Sequence, residues 1–229
     1  MKPTKSQKAY LNYFNKWEGL SSLGLALIFL SVFFLAMRIA AFLSILSMIG
    51  LPGGLLLYLF GTVGRANEND MRAEIQHHAE SMHFKEFEDV AQRSLRLRLP
   101  KEETIYAFDG FELRDGLMLK KMKNGSLCSS EYTCARVYMM TDAFYIKKHT
   151  FSFVSDEKSD TVHEIAFDRV EALTIERDSF SLSYQKNTYT AKTCFLVITH
   201  DGGNRFLLHI KDDIYAEELV EKLKKKYLH

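Results

Sequence analysis

His77, His78, Glu80 and His83 gather three imidazoles and a carboxylate within one short segment, and Glu80 and His83, three residues apart, would share a helix face. A transition metal needs three or four converging ligands, and this segment has no H-E-x-x-H and no matching second cluster. The group reads instead as solvated helix side chains or a mildly pH-sensitive patch. Cys128, Cys134 and Cys194 are odd in number and contain no C-x-x-C pair, so reduced thiols are expected and a disulfide framework is not. A metal site of Cys128 and Cys134 with His149 or His163 has no spacing to support it. Neither metal nor cofactor is expected. With no G-x-S-x-G and no G-x-x-x-x-G-K-[ST], the chain reads as a non-enzyme.

The remaining chemistry is cationic. Lys120, Lys121 and Lys123 precede an Asn124-Gly125 turn, and Arg136, Lys147 and Lys148 fall on segments expected to be neighbouring strands. Together they are candidates to hold a phosphate or an anionic surface, each contributing about 1 kcal/mol near a bilayer. The competing reading is that these lysines coat an exposed strand, offset by Glu102, Glu131 and Asp142.

The elements that would carry these residues begin with an apolar run. From Leu20 to Val63, forty-four residues include one charged side chain, Arg38. One helix of that length would extend roughly 66 Å, about twice a ~30 Å hydrocarbon core, so the run must double back. A turn at Arg38 gives helices over 20–37 and 39–63, roughly 27 and 37 Å long, both able to span. A turn at Pro52-Gly53-Gly54 has better turn chemistry but leaves about 15 Å after it and strands Arg38 in lipid at ~2.5–3.5 kcal/mol. The Arg38 hairpin is preferred, with Pro52 as a kink, and the re-entrant form stays open. Lys2, Lys5, Lys8 and Lys16 before the run and Arg65 and Arg72 after it put both termini in the cytoplasm of a two-pass protein of the plasma (inner) membrane. Residues 1–19 read as a basic, aromatic tail, with Tyr10, Tyr13, Phe14 and Trp17 as an interfacial belt.

Residues 65–96 read as an amphipathic connector helix, with Met71, Ile75, Ala79, Met82, Phe87 and Val90 at three- and four-residue steps. From Leu95 the period becomes two, and Ser94 to Leu99 alternates before Pro100. Short β-rich runs follow at Thr104–Phe108, Gly116–Met122, Thr133–Met140, Phe144–Phe153, Val162–Phe167, Ala172–Arg177, Phe180–Gln185, Lys192–His200 and Arg205–Ile210. Asp109-Gly110, Asn124-Gly125, Thr141-Asp142, a polar loop over 155–160 and Asp201-Gly202-Gly203-Asn204 supply turns. Asp212 to Leu228 reads as a terminal helix with acids first and lysines last, matching the helix dipole. The fold class is therefore an α+β membrane protein: a helical hairpin, a connector, and an antiparallel barrel or sandwich over 97–229 closed by a helix. A formal charge of +1 gives no basic field for nucleic acid.

Within residues 97–227 a family resemblance is visible. Leu99-Pro100-Lys101-Glu102-Glu103-Thr104-Ile105 resembles the opening of GRAM and bacterial pleckstrin-homology-like domains. Ala135 to Ile146 is similar to their strand followed by T-x-x-x-hydrophobic, and Glu164 to Leu173 to their I-x-x-x-D-I/V-x-x-I strand and turn. The Phe195 to Phe206 stretch resembles the last hairpin before the helix. The departures are the long loop over 124–131 and extra length between Phe180 and Lys192. The resemblance implies a seven-stranded barrel that binds phospholipid headgroups, peptides or proteins. The chain is thus expected to be a membrane-anchored binding or adaptor protein, whose partners are the bilayer, an anionic phospholipid, a protein or a second copy. The alternative is an accessory subunit whose hairpin packs on a transporter, favoured by Gly19, Ser22, Gly24, Ala26, Ser44, Ser47, Gly50, Gly53, Gly54, Gly61 and Gly64.

Overall fold

The computed structural model describes residues 4–15, 19–37, 41–97, 105–139, 142–210 and 216–227. Two compact units divide the chain, Met1–Asn67 and Glu68–His229.

The described residues of the first unit form α1 (Lys5–Asn15), α2 (Gly19–Met37) and α3 (Ala41–Thr62). Helices α2 and α3 are each long and apolar enough to cross a membrane. They run antiparallel because four glycines let the backbones meet. A Cβ at Gly24 would lie 2.4 Å from the Tyr58 amide nitrogen, and one at Gly61 2.7 Å from that of Ser21. Gly54 meets Ile28 and Gly50 meets Ser31 in the same register. Phe29, Met48 and Phe60 are 68%, 71% and 69% exposed, so the outer surface of the pair is apolar rather than a buried core. Helix α2 ends at Met37, and α3 begins at Ala41 and runs unbroken through Pro52. The re-entrant turn at Pro52-Gly53-Gly54 is thereby overturned: its glycines serve helix contact, and a turn there leaves too little helix to pair with α2. Arg38 itself lies outside the described residues.

Within the tail of residues 1–19, residues 5–15 form α1. Thr4 caps it: the Gln7 amide donates to Thr4 Oγ1 at 3.2 Å, and the Thr4 amide donates to Gln7 Oε1 at 2.7 Å. Tyr10, Tyr13 and Phe14 are buried rather than set in a lipid-facing belt, while Trp17 lies outside the described residues. Asn12 Nδ2 donates to the Gly64 carbonyl at 2.8 Å and the Ala66 amide to the Ala9 carbonyl at 3.0 Å, tying α1 to the chain leaving α3.

The second unit opens with α4 (Glu68–Leu97), close to the expected connector. The strand reading of Ser94–Leu99 fails over residues 94–97, which remain helical. Leu and Arg are strong helix formers, so the alternation of residues 94–97 does not impose a strand. Among the described residues nine strands follow: β1 (Ile105–Phe111), β2 (Leu119–Lys121), β3 (Leu127–Ser129), β4 (Glu131–Met139), β5 (Ala143–Ser152), β6 (Lys158–Ala166), β7 (Val170–Tyr184), β8 (Asn187–His200) and β9 (Asn204–His209). Helix α5 (Ala216–Tyr227) ends the unit.

Every strand pairing is antiparallel. The orders are β1-β4-β5-β6, β2-β3 and β7-β8-β9, so the described strands form separate sheets rather than one closed barrel. The core lies between the four- and three-stranded sheets. Phe108, Val137, Phe144 and Ile146 from one meet Leu173, Leu196, Ile198 and Leu208 from the other, with Val220 and Leu223 of α5 completing it. The first and last strands approach through side chains instead of a ladder. A Cβ at Gly110 would sit 2.9 Å from the His209 side chain, and Asp109-Gly110 continues β1 instead of turning, paired with Cys134 and Thr133 of β4.

The two stretches that exceeded the family plan support each other. Ala172–Arg177 and Phe180–Gln185 form one strand, β7, and the β7–β8 ribbon reverses only at Gln185, whose φ is 54°. Leu182 and Ala191 near its tip are buried against Leu117 and Leu119 beside and within β2. The expected loop over 124–131 contains β3, and the expected loop over 155–160 already enters β6 at Lys158.

Candidate functional site

The six candidate cations do not converge on one site. On the β2–β3 hairpin, Lys121 and Lys123 are exposed while Lys120 is buried, 7% exposed, its carbonyl accepting the Cys128 thiol at 3.1 Å. Gly125, with φ 87°, makes this turn tight, and the Asn124 side chain accepts the Ser126 amide at 3.0 Å. The Lys123 amide donates to Glu68 at 2.8 Å, so the cationic turn is fixed to the first residue of α4.

Arg136 and Lys147 are directly opposed on β4 and β5, on the face turned away from the core. Lys148 must then face the other way, beside Ala135 of the core, where it meets Glu112 at 3.6 Å. Glu112 anchors a polar network at the open end of the sandwich. It accepts the Thr133 hydroxyl at 2.6 Å, and His209 Nε2 stands 3.5 Å away. Burial alone would raise its carboxyl, but hydrogen bonds from His209 and Thr133 and the charge of Lys148 outweigh that and hold it at about 2. Next to this network Lys148, Thr150, Ser159, Thr161, His163 and Phe206 line a cleft of about 330 Å³.

A second polar system lies on the outer face of the same sheet. Cys134, His149 and Asp160 stand in one row across β4, β5 and β6. His149 Nδ1 is 2.6 Å from Asp160 Oδ1, so this nitrogen carries the proton and donates to the carboxylate. Its Nε2 is 3.0 Å from Nδ1 of His78 on α4, whose ring stacks on Phe151 with centroids 3.8 Å apart. Burial, then the closeness of His149, lowers His78 to about 4. The row has the residue types of a Cys-His-Asp relay, but Cys134 is 0% exposed and His149 Nε2 is engaged by His78. In this arrangement it docks a helix.

The histidine segment examined for metal divides. His78 turns to His149, Glu80 accepts Gln76 Nε2 at 2.7 Å, and the His83 side chain lies outside those described. Among the described residues no three His, Cys, Asp or Glu side chains converge as metal ligands. Cys128, Cys134 and Cys194 are buried thiols and are not joined in a disulfide.

The sequence reading missed the Glu112 network and the His78–His149 contact. Both depend on cross-strand neighbours, and the Cys134–His149–Asp160 row emerges only once strand register is known. No protein-family model, curated protein or solved structure matches the chain.

Proposed function

We propose that this chain is a membrane-anchored, non-enzymatic binding or adaptor protein that presents a pleckstrin-homology-like domain of the GRAM type to an anionic lipid surface or a protein. The observation that carries the reading is the combination of an apolar helical hairpin with four plus three antiparallel strands around one core and a terminal helix. Set aside the β2–β3 hairpin and the strand count and closing helix are those of that superfold. Flanking cations favour an inner-membrane protein with both termini in the cytoplasm. Lys121 and Lys123, exposed on a rigid turn, are the cations suited to bilayer headgroups, with Arg136 and Lys147 as a second pair.

The alternative accessory-subunit reading draws on the small residues of the hairpin. Gly24, Gly50, Gly54 and Gly61 are spent on α2–α3 contact, whereas Gly53 has open space at its Cβ position. That use weakens the need for an outside helix.

The test is the full chain in mild detergent beside a chain whose residues 19–63 are replaced by an unrelated two-pass anchor. Retention of the same co-purifying protein, or of binding to anionic nanodiscs that Lys121→Glu with Lys123→Glu reduces, supports the adaptor. Loss of partner and lipid binding in the swapped chain, despite normal insertion, transfers the function to the hairpin.

A further inference from the structure

The geometry points to a homotypic interface: β6 pairs antiparallel with β6 of a second copy of this chain, in the register that sets Thr161 opposite Thr161. Among the described residues, β6 is the outer strand of its sheet and is bonded to β5 alone. All nine residues from Lys158 to Ala166 pair with β5 without a bulge, and the strand contains no proline. Residues 158–164 are exposed on both faces, and Val162 is 50% exposed. A regular, bare edge of this kind is a template for another strand unless something blunts it.

Charge decides which strand fits. Lys158, Asp160, Val162 and Glu164 lie on one face, Ser159, Thr161 and His163 on the other. In a two-fold antiparallel pair, opposed residues must come from the same face. Centred on Val162, the pairing sets Asp160 against Glu164 twice, which repels. Centred on His163, it makes no charge pair. Centred on Thr161, it sets Lys158 against Glu164 twice, Asp160 against Val162 and Ser159 against His163. Opposite charges directly across a ladder stabilise it and like charges destabilise it, so the strand is self-complementary in one register. Asp160 keeps its bond to His149 at 2.6 Å in that arrangement, and the two four-stranded sheets become continuous. The interface is independent of what the domain binds.

The test uses the full chain in detergent and in reconstituted bilayers with copper-phenanthroline as oxidant. Directly opposed residues hold their Cα atoms about 4.5–5.5 Å apart, within disulfide reach. Thr161→Cys is expected to give a cross-linked dimer well above the parent chain, whose own cysteines are buried, and Val162→Cys much less. Lys158→Glu turns both attractive pairs repulsive and should weaken self-association of the Thr161→Cys chain about tenfold. Adding Glu164→Lys should restore it, which separates lost pairing from lost folding. No cross-link at Thr161→Cys above the parent, preferential cross-linking at Val162→Cys, or indifference to the charge swaps overturns the proposal.

Discussion

The imidazoles of His78 and His149 meet nitrogen to nitrogen at 3.0 Å, joining α4 to β5 through a bond that needs one donor and one acceptor. With His149 Nδ1 donating to Asp160, His149 Nε2 is left to accept from His78 Nδ1. One extra proton can be absorbed by exchanging roles. A second would set N–H against N–H and break the contact.

This contact predicts acid-sensitive docking of α4. The groups around His78 are Glu74 and His77 on its own helix, His149 and Phe151 on β5, and Lys158 and Asp160 on β6. Burial, then the closeness of His149, His77 and Lys158, depresses His78 from 6.5 to about 4. The unfolded chain therefore takes up this proton first, and stability present above pH 6.5 is lost as pH falls towards 4. Full linkage would be about 3 kcal/mol; screening at a partly exposed ring reduces it to about 1 kcal/mol, or roughly 2–4 °C in Tm. Melting curves of the full chain at pH 7 and 4.5 should differ more than those of His78→Phe, which keeps a ring against Phe151. Equal differences would remove His78 as the titrating group.

Glu112 carries the opposite sign. Its carboxyl is held at about 2 in the folded protein against 4.5 for the free group, so its contribution is complete above pH 4.5 and disappears as pH falls to 2. Glu112→Gln keeps the shape and removes the charge that His209 and Lys148 face. The expected cost is about 2 kcal/mol at pH 7 by chemical denaturation, shrinking to near zero at pH 2–3. A cost unchanged by acid would show that shape alone matters there.

The legibility of the chain follows the range of its interactions. The hairpin could be read because helix length and the single charge Arg38 are local quantities, and α5 because its stripe and end charges are local too. The capping box at Thr4 and Gln7 was equally local, and it is the signal that would have placed α1 within the tail. Polar Asp178-Ser179 suggested a break that β7 does not take, because the pairing with β8 continues across it. Lys120, Lys121 and Lys123 looked equivalent in the sequence. Alternation and the packing beneath β2 separate them, burying Lys120 and leaving the other two exposed.

The hairpin makes a pairwise prediction about glycine. In an exposed helix position Gly→Ala adds up to about 1 kcal/mol of helix stability. Gly53→Ala should show that gain or none, because nothing lies within 4 Å of its Cβ position. Gly24→Ala places a methyl 2.4 Å from the Tyr58 nitrogen and 2.6 Å from the Gly54 carbonyl, and backbone atoms cannot step aside as a side chain would. Gly24→Ala is expected to force α2 and α3 apart. Cysteine pairs placed across the hairpin should then cross-link several-fold less readily than in Gly53→Ala, and equal cross-linking would contradict the close approach.

Leu182 offers the most direct link between packing and the exposed cations. The strands β2 and β3 span three residues each, and a two-stranded hairpin of that size has little stability of its own. What steadies it is the Glu68 bond to the Lys123 amide and the cluster of Leu117, Leu119, Leu182 and Ala191, with Leu182 3% exposed. Leu182→Ala should cost about 2–3 kcal/mol locally through lost burial and the cavity left behind. Because that cluster lies apart from the main core, amide exchange over residues 119–129 should accelerate about tenfold or more while residues in β4 and β5 change little. Leu182→Met, which conserves volume, should leave exchange near the parent value. If Lys121 and Lys123 bind anionic headgroups through their fixed placement, Leu182→Ala will also weaken retention on anionic nanodiscs with both lysines intact. If loosened exchange leaves retention unchanged, the lysines act as a diffuse charge and the rigid turn is not part of recognition.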